Sequence, residues 1–229
     1  MDAVEPTPSS HDRIMSDKLD LRDVSIYSLF YGDNLDILDQ VTTVLAWCNH
    51  VASFARSVLL TPIAPRKDPA SEVIQIPNFD PYGVSVFITN TISLLANSGF
   101  IMQVHNDGFI LDTGLWDRAF LEYDYIGAPW DDGVVGNQGF CIQSAKCLKA
   151  VNKLPFMPPG HNSDWWICRD HRPAMEGMGI KFAPVDIATR FATEMTHQDS
   201  PSFGFHGRQY QPKKHQAGWD QIKNWELSK

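Results

Sequence analysis

Residues 99–104, Gly-Phe-Ile-Met-Gln-Val, form an apolar run that stops abruptly at His105-Asn106-Asp107-Gly108. A short, continuous apolar segment bounded by turn residues reads as a strand buried on both faces, not as the alternating strand of a sheet with one wet side. The chain is thereby restricted to an α/β architecture with helices flanking the sheet. The first half agrees. Residues 24–30 read as a strand broken at Tyr31-Gly32-Asp33-Asn34, after which Leu35, Ile37, Leu38, Val41, Val44 and Leu45 recur at helical spacing. Residues 57–60 and 73–76 are two further short strands, and residues 82–96 carry a helical pattern into the run at 99–104. Strands alternating with helices imply a mostly parallel central sheet.

The pattern changes after Trp130. Residues 131–139 are glycine-dense loop, 140–144 a strand feeding a helix at 145–153, and 161–164 a helix start that fades near Gly177. Residues 181–184 read as extended and 185–192 as helical. Residues 1–18, rich in Pro and Ser, read as a disordered tail. Residues 19–210 make up one domain, and 211–229 a basic, aromatic segment forming a short helix. In that helix Trp219, Ile222 and Trp225 are spaced to pack back on the domain; contact with a membrane surface, helped by Lys213, Lys214 and Lys223, is the alternative.

Ligands of open α/β sheets bind at the carboxyl ends of strands, which directs attention to His105, Asn106 and Asp107. Asp107 offers a hard oxygen to Mg2+ or Mn2+, although Asn-Asp-Gly equally describes a simple turn. His105 is either a ligand or a satisfied structural group. His206, between glycines in Phe203-Gly204-Phe205-His206-Gly207, could complete a metal shell with Asp107, touch a phosphate, or sit in solvent. The loop Gly136-Asn137-Gln138-Gly139 offers unobstructed backbone N–H groups to a sugar or phosphate. Asp164 at a helix start is a cap, or a general base kept ionised by the helix field. Asp131-Asp132 reads as a solvated acidic pair.

The net charge of -8 makes nucleic acid a poor partner, unless a local path through Arg208, Lys213 and Lys214 overrides the average. Cys48, Cys141, Cys147 and Cys168 lie far apart without a Cys-x-x-Cys pair, which favours free thiols. With no apolar run of membrane-spanning length and no signal-peptide pattern at the start, the expected localisation is cytoplasmic.

The segment from Gln103 to Trp130, with Asn-Asp-Gly-Phe-Ile-Leu, Trp116 and Phe-Leu-Glu-Tyr-Asp-Tyr-Ile-Gly-Ala-Pro-Trp, resembles a little-characterised family. It is a domain of unknown function related to the GT-A-fold glycosyltransferases. Gly136 to Phe140 with Ser144, Asp164 to Arg169, Gly179 to Pro184 and Phe203 to Gly207 agree with it in the same order, and the likeness covers roughly residues 22–210.

The resemblance implies a GT-A-like, Rossmann-like sheet and a nucleotide-sugar-dependent hexosyl- or pentosyltransferase. Its partners would be a nucleotide-sugar donor and a glycan or other hydroxyl-bearing acceptor, with divalent Mn2+ or Mg2+ as cofactor. Asp107 stands for the second acid of the family's Asp-x-Asp metal motif, His105 replaces the first, and His206 matches a late histidine ligand. Asn106, Gly136, Asn137, Gln138 and Gly139 fall to donor and sugar binding. Asp164 matches the acid of a Glu-Asp element, with Ser163 in place of the glutamate, and would deprotonate the acceptor for inverting transfer. Two rivals stand beside this. A glycoside hydrolase would pair Asp107 or Asp131 with Asp164, and a catalytically silent module would bind nucleotide sugar without turning it over.

Overall fold

The computed structural model describes residues 18–95 and 98–229. The tail expected over residues 1–18 lies, Lys18 apart, outside the described residues, and so does Ala96. From there β1 (Leu19–Leu29), α1 (Leu35–Val51), β2 (Ala52–Thr61), β3 (Glu72–Gln75), α2 (Pro81–Thr91) and β4 (Phe100–Val104) follow the hydrophobic patterning. Local chemistry starts each helix. The Asn34 carboxamide accepts from the N–H groups of Asp36 and Ile37 at 3.0 and 3.2 Å, and Asp80 caps α2 ahead of Pro81.

β3, β2, β1 and β4 lie side by side in that order, all parallel, so their carboxyl ends share one edge. Chain direction then reverses. β6 (Cys141–Ser144) runs antiparallel to β4, and β5 (Tyr125–Gly127) antiparallel to β6, completing the six-stranded order β3-β2-β1-β4-β6-β5. Ser144 caps α3 (Ala145–Val151) by accepting from Cys147 N–H at 2.9 Å. The helix expected from residue 163 is real but broken. α4 (Ser163–Trp165) passes through a π-helical turn, Trp166–Asp170, into α5 (Arg172–Gly177).

Residue parity along the strands divides the core. Ile26, Leu59 and Met102 face Leu38, Leu45, Phe191, Phe205 and Ile222, beneath α1, α6 (Val185–Phe191) and α7 (Pro212–Leu227). Tyr27, Val58 and Ile101 point the other way, toward Ile88 of α2 and Leu148 of α3. α7 is held by its aromatic stripe. Trp219 meets Phe109 edge-on at 6.2 Å, Trp225 meets Trp47 at 5.8 Å, and Ile222 is buried between them. All four cysteines are buried and unpaired. Among the described residues no helix is long and apolar enough to cross a membrane.

The short strand β5 depends on one close approach. A Cβ on Gly127 would stand 2.1 Å from Gly136 O and 2.4 Å from Asn137 O, both backbone atoms that cannot rotate aside. Gly127→Ala should therefore cost about 3 kcal/mol in urea unfolding. Gly99→Ala, with nothing within 4 Å of the new methyl, should stay within about 0.5 kcal/mol of wild type.

Candidate active site

The strand order turns back between β1 and β4, and the crevice at their carboxyl ends is where a parallel sheet accommodates a ligand. β4 delivers His105 there. His105 and Gly108 exchange both backbone hydrogen bonds, at 2.7 and 3.1 Å, closing a tight turn with Asn106 and Asp107 at its tip. The Asn106 amide is partly spent, donating to Gln40 of α1 at 3.1 Å.

A second, two-stranded sheet brings the other half of the site. β7 (Ala192–Thr193) and β8 (Gly204–Phe205) pair in parallel, Thr193 beside Phe205, so the next residues, Glu194 and His206, emerge together. Glu194 Oε1 accepts from His206 Nδ1 at 2.8 Å, and its other oxygen accepts from the Asn137 amide. His206 Nε2 faces Asp107 Oδ1 at 3.6 Å. Burial opposes charge on His206, but its hydrogen bond to Glu194 and the carboxylates of Asp107, Glu194 and Asp164 outweigh it and hold the imidazole above its ordinary pKa. Glycine makes room for the ring: a Cβ on Gly139 would sit 1.9 Å from His206 Nε2, and one on Gly108 2.8 Å from its Cδ2.

His105 differs from His206. Burial first, and then the neighbouring His206, push its pKa down to about 4. Its Nε2 lies 2.7 Å from the Gln103 amide nitrogen, while Tyr27 donates its hydroxyl to the Gln103 oxygen. The ring nitrogen must then accept, which leaves the proton of the neutral imidazole on Nδ1. A cation at Nδ1 would need the amide turned over, so that its oxygen takes a proton from Nε2. Gln103 and Tyr27 thus set the tautomer of His105.

One donor atom from each of His105, Asp107 and His206 lies within 4.8 Å of the others. These residues fit a divalent cation. Glu194 fixes His206 with Nε2 outward, in the carboxylate–imidazole arrangement that supports metal ligands, and two imidazoles with one carboxylate suit Mn2+ or a later transition metal better than Mg2+.

Asp164 lies in the same corner. Its carboxylate accepts from Trp165 N–H at 2.7 Å, and it feels the charges of His206 and Glu194. The helix field expected to act on it is not the dominant influence. α4 is a single turn, and burial dominates, raising the Asp164 pKa. The loop at 136–139 also differs from expectation. Gly136, Asn137, Gln138 and Gly139 are all buried, the Gly136 N–H goes to Ala128 O, and the Gly139 N–H goes to the Asn137 side chain. Its glycines admit rings rather than a phosphate: a Cβ on Gly136 would strike the Trp130 indole at 2.2 Å, as one on Gly139 would strike His206. Gln138 alone keeps a free donor. Ser163 donates to its oxygen, and its Nε2 is buried without a partner. Asp132 is likewise not merely solvated, since Arg169 pairs with it.

From Asp107 a cavity of about 770 Å³ opens between α1 and α7, lined by Gln40, Arg208, His215, Trp219 and Lys223 among others. Sequence patterning singles out Arg208, Trp219 and Lys223 but gives no sign that they line one cavity, nor any of Glu194 and Gln103 as site residues. Lys214, expected to contribute to a basic path, turns inward instead and donates to Thr193 Oγ1, Ser200 O and Ser202 Oγ at 2.5–3.0 Å.

Residues 79–206 match a sequence family described as "Protein of unknown function (DUF5672)". No curated protein matches the chain. Among solved structures, it is similar to a glycosyltransferase involved in the glycosylation of the major capsid of PBCV-1, with 10% identity, 88% of this chain and 98% of that chain covered, and a TM-score of 0.52. It is also similar to the galactosyltransferase LgtC in complex with donor and acceptor sugar analogs, with 11% identity, coverage of 87% and 95%, and a TM-score of 0.49. What is shared is the fold, the mixed sheet of the GT-A glycosyltransferases.

The inward turn of Lys214 has a pH signature. Burial lowers its pKa to about 8, whereas an unfolded lysine titrates near about 10.4. Between those values the unfolded chain binds more protons, so stability rises with pH. Urea unfolding of wild type and Lys214→Met from pH 7 to 10 should show wild type gaining on the variant above about pH 8.

Proposed function

The chain belongs to the DUF5672 family, and from that membership, the GT-A fold and the site geometry we propose that it is a glycosyltransferase taking a sugar from a nucleotide-sugar donor to an acceptor hydroxyl. The observation that carries this reading is the His105–Asp107–His206 cluster, braced by Glu194, at the mouth of a cavity large enough for a nucleotide. A chain of net charge -8 holds a diphosphate only where local groups offset the repulsion. Arg208 and Lys223 do so on the cavity wall, and Trp219 offers a face to a base. Asp107, His206 and His105 would hold a divalent cation, preferably Mn2+, which when bound supplies Lewis-acid stabilisation of charge on a leaving diphosphate.

The remaining chemistry belongs to the chain. Asp164, its carboxyl raised by burial, is a stronger base than an exposed aspartate and takes the acceptor proton. It receives the Trp165 N–H, which fixes the carboxylate for that transfer. The aromatic walls and the buried loop at 136–139 limit water near the reacting carbon, which favours transfer over hydrolysis. Attack by a hydroxyl activated from Asp164, opposite the leaving diphosphate, inverts the anomeric centre.

Thermal unfolding with a panel of nucleoside diphosphates, with and without Mn2+, tests the reading. At about 100 times Kd a matching nucleotide should raise Tm by about 5–10 °C, only when metal is present. Asp107→Ala should abolish the shift, and so should Gly139→Ala, whose methyl displaces His206. A nucleotide shift that persists in Asp107→Ala, or no shift across the panel, would sink the proposal.

A further inference from the structure

Trp165 is the one exposed tryptophan of the seven, 48% accessible, and it follows Asp164 directly in the chain. Its position is fixed from below. The Trp165 and Trp130 rings meet at a tilt, 6.0 Å between centroids, and the Arg169 guanidinium sits in the angle between them, 4.3 and 4.4 Å from their centroids, gripping Asp132 with both terminal nitrogens. Trp130 in turn lies flat on Gly136, where a methyl would strike its ring. Trp130, Arg169 and Trp165 therefore form one cluster anchored against the loop at Gly136. Holding it leaves Arg169 Nε buried without a partner. A half-exposed indole held by a cation on its face and a second indole beside it is a preorganised stacking surface.

Taking the transferase reading as its premise, we propose that Trp165 is the acceptor platform and that the acceptor is a neutral glycan, one pyranose ring resting on the indole while its hydroxyl reaches Asp164. The C–H groups on one side of a pyranose are weakly positive and match the negative face of an aromatic ring. Charge selects against rivals. The cation beneath the platform, Arg169, is already paired with Asp132, and Asp164 adds a carboxyl next to it, which disfavours phosphate-bearing acceptors such as nucleic acid.

Saturation-transfer NMR on the full chain tests this with methyl glycosides of common hexoses and N-acetylhexosamines, a hexose phosphate and a short single-stranded DNA. Neutral glycosides should bind, Trp165→Ala should weaken them at least tenfold, and Trp165→Phe, which keeps an aromatic face, should stay within about threefold of wild type. Equal binding by wild type and Trp165→Ala overturns the proposal, as does tighter binding of the phosphate or DNA, or no glycoside binding at all. The Mn2+-dependent nucleotide shift of the wild type is recorded on the same preparation. Its absence beside a Trp165-dependent glycoside signal would remove the transferase reading and leave a glycan-binding face; its presence without that signal would remove only the platform.

Discussion

The hydrogen bond between Glu194 and His206 is the interaction on which the site depends. A carboxylate this well buried is tolerated only when its oxygens are satisfied, and Glu194 meets that demand with His206 on one oxygen and Asn137 on the other. Removing one partner of a buried charged pair costs roughly 3–5 kcal/mol. The two-stranded sheet of β7 and β8, the left-handed turn at Asn137 and the bare glycines at 108 and 139 all serve this pair, bringing its backbone together or clearing space for the ring. The result is an imidazole presented to Asp107 with one nitrogen already committed.

Two electrical environments meet at Asp107. On the α7 side, Arg208 and Lys223 supply positive charge that the composition as a whole lacks. Toward Asp164 the surroundings are acidic and aromatic, and burial pushes that carboxyl toward its protonated form. A single average charge describes neither. A donor carrying phosphates and a neutral acceptor would each find a matching half, with the His–Asp–His cluster between them.

Much of the fold was legible because local patterning carries it. The buried run at 100–104, the βα alternation before it and the break at His105 are all written in contiguous residues. Asp107 and His206 were legible as well, standing beside glycines at strand ends. Glu194 was not: it sits in Thr193-Glu194-Met195-Thr196 without periodicity, and its meaning comes from His206, twelve residues on at the end of β8. Gln103 was hidden for the opposite reason, since inside an apolar strand it looks like an exception until Tyr27 and His105 are seen at its two ends. The loop at 136–139 misleads most. Its glycines suggest a cradle for a ligand, but they answer to Trp130 and His206, side chains that only the tertiary structure brings there.

The joint between the cluster and α7 begins at Gly207, with φ of +81°. Its N–H is tied to Asp107 O at 2.9 Å, and the preceding N–H of His206 is tied to Thr193 O at 3.0 Å. Both anchors lie on the cluster side of the joint. Beyond the joint the ties continue, Gln211 N–H to Gly207 O, Gln211 Nε2 to Glu194 O and Lys214 to Thr193 Oγ1, so the cavity wall carried by α7 and the His206–Asp107 pair share one register.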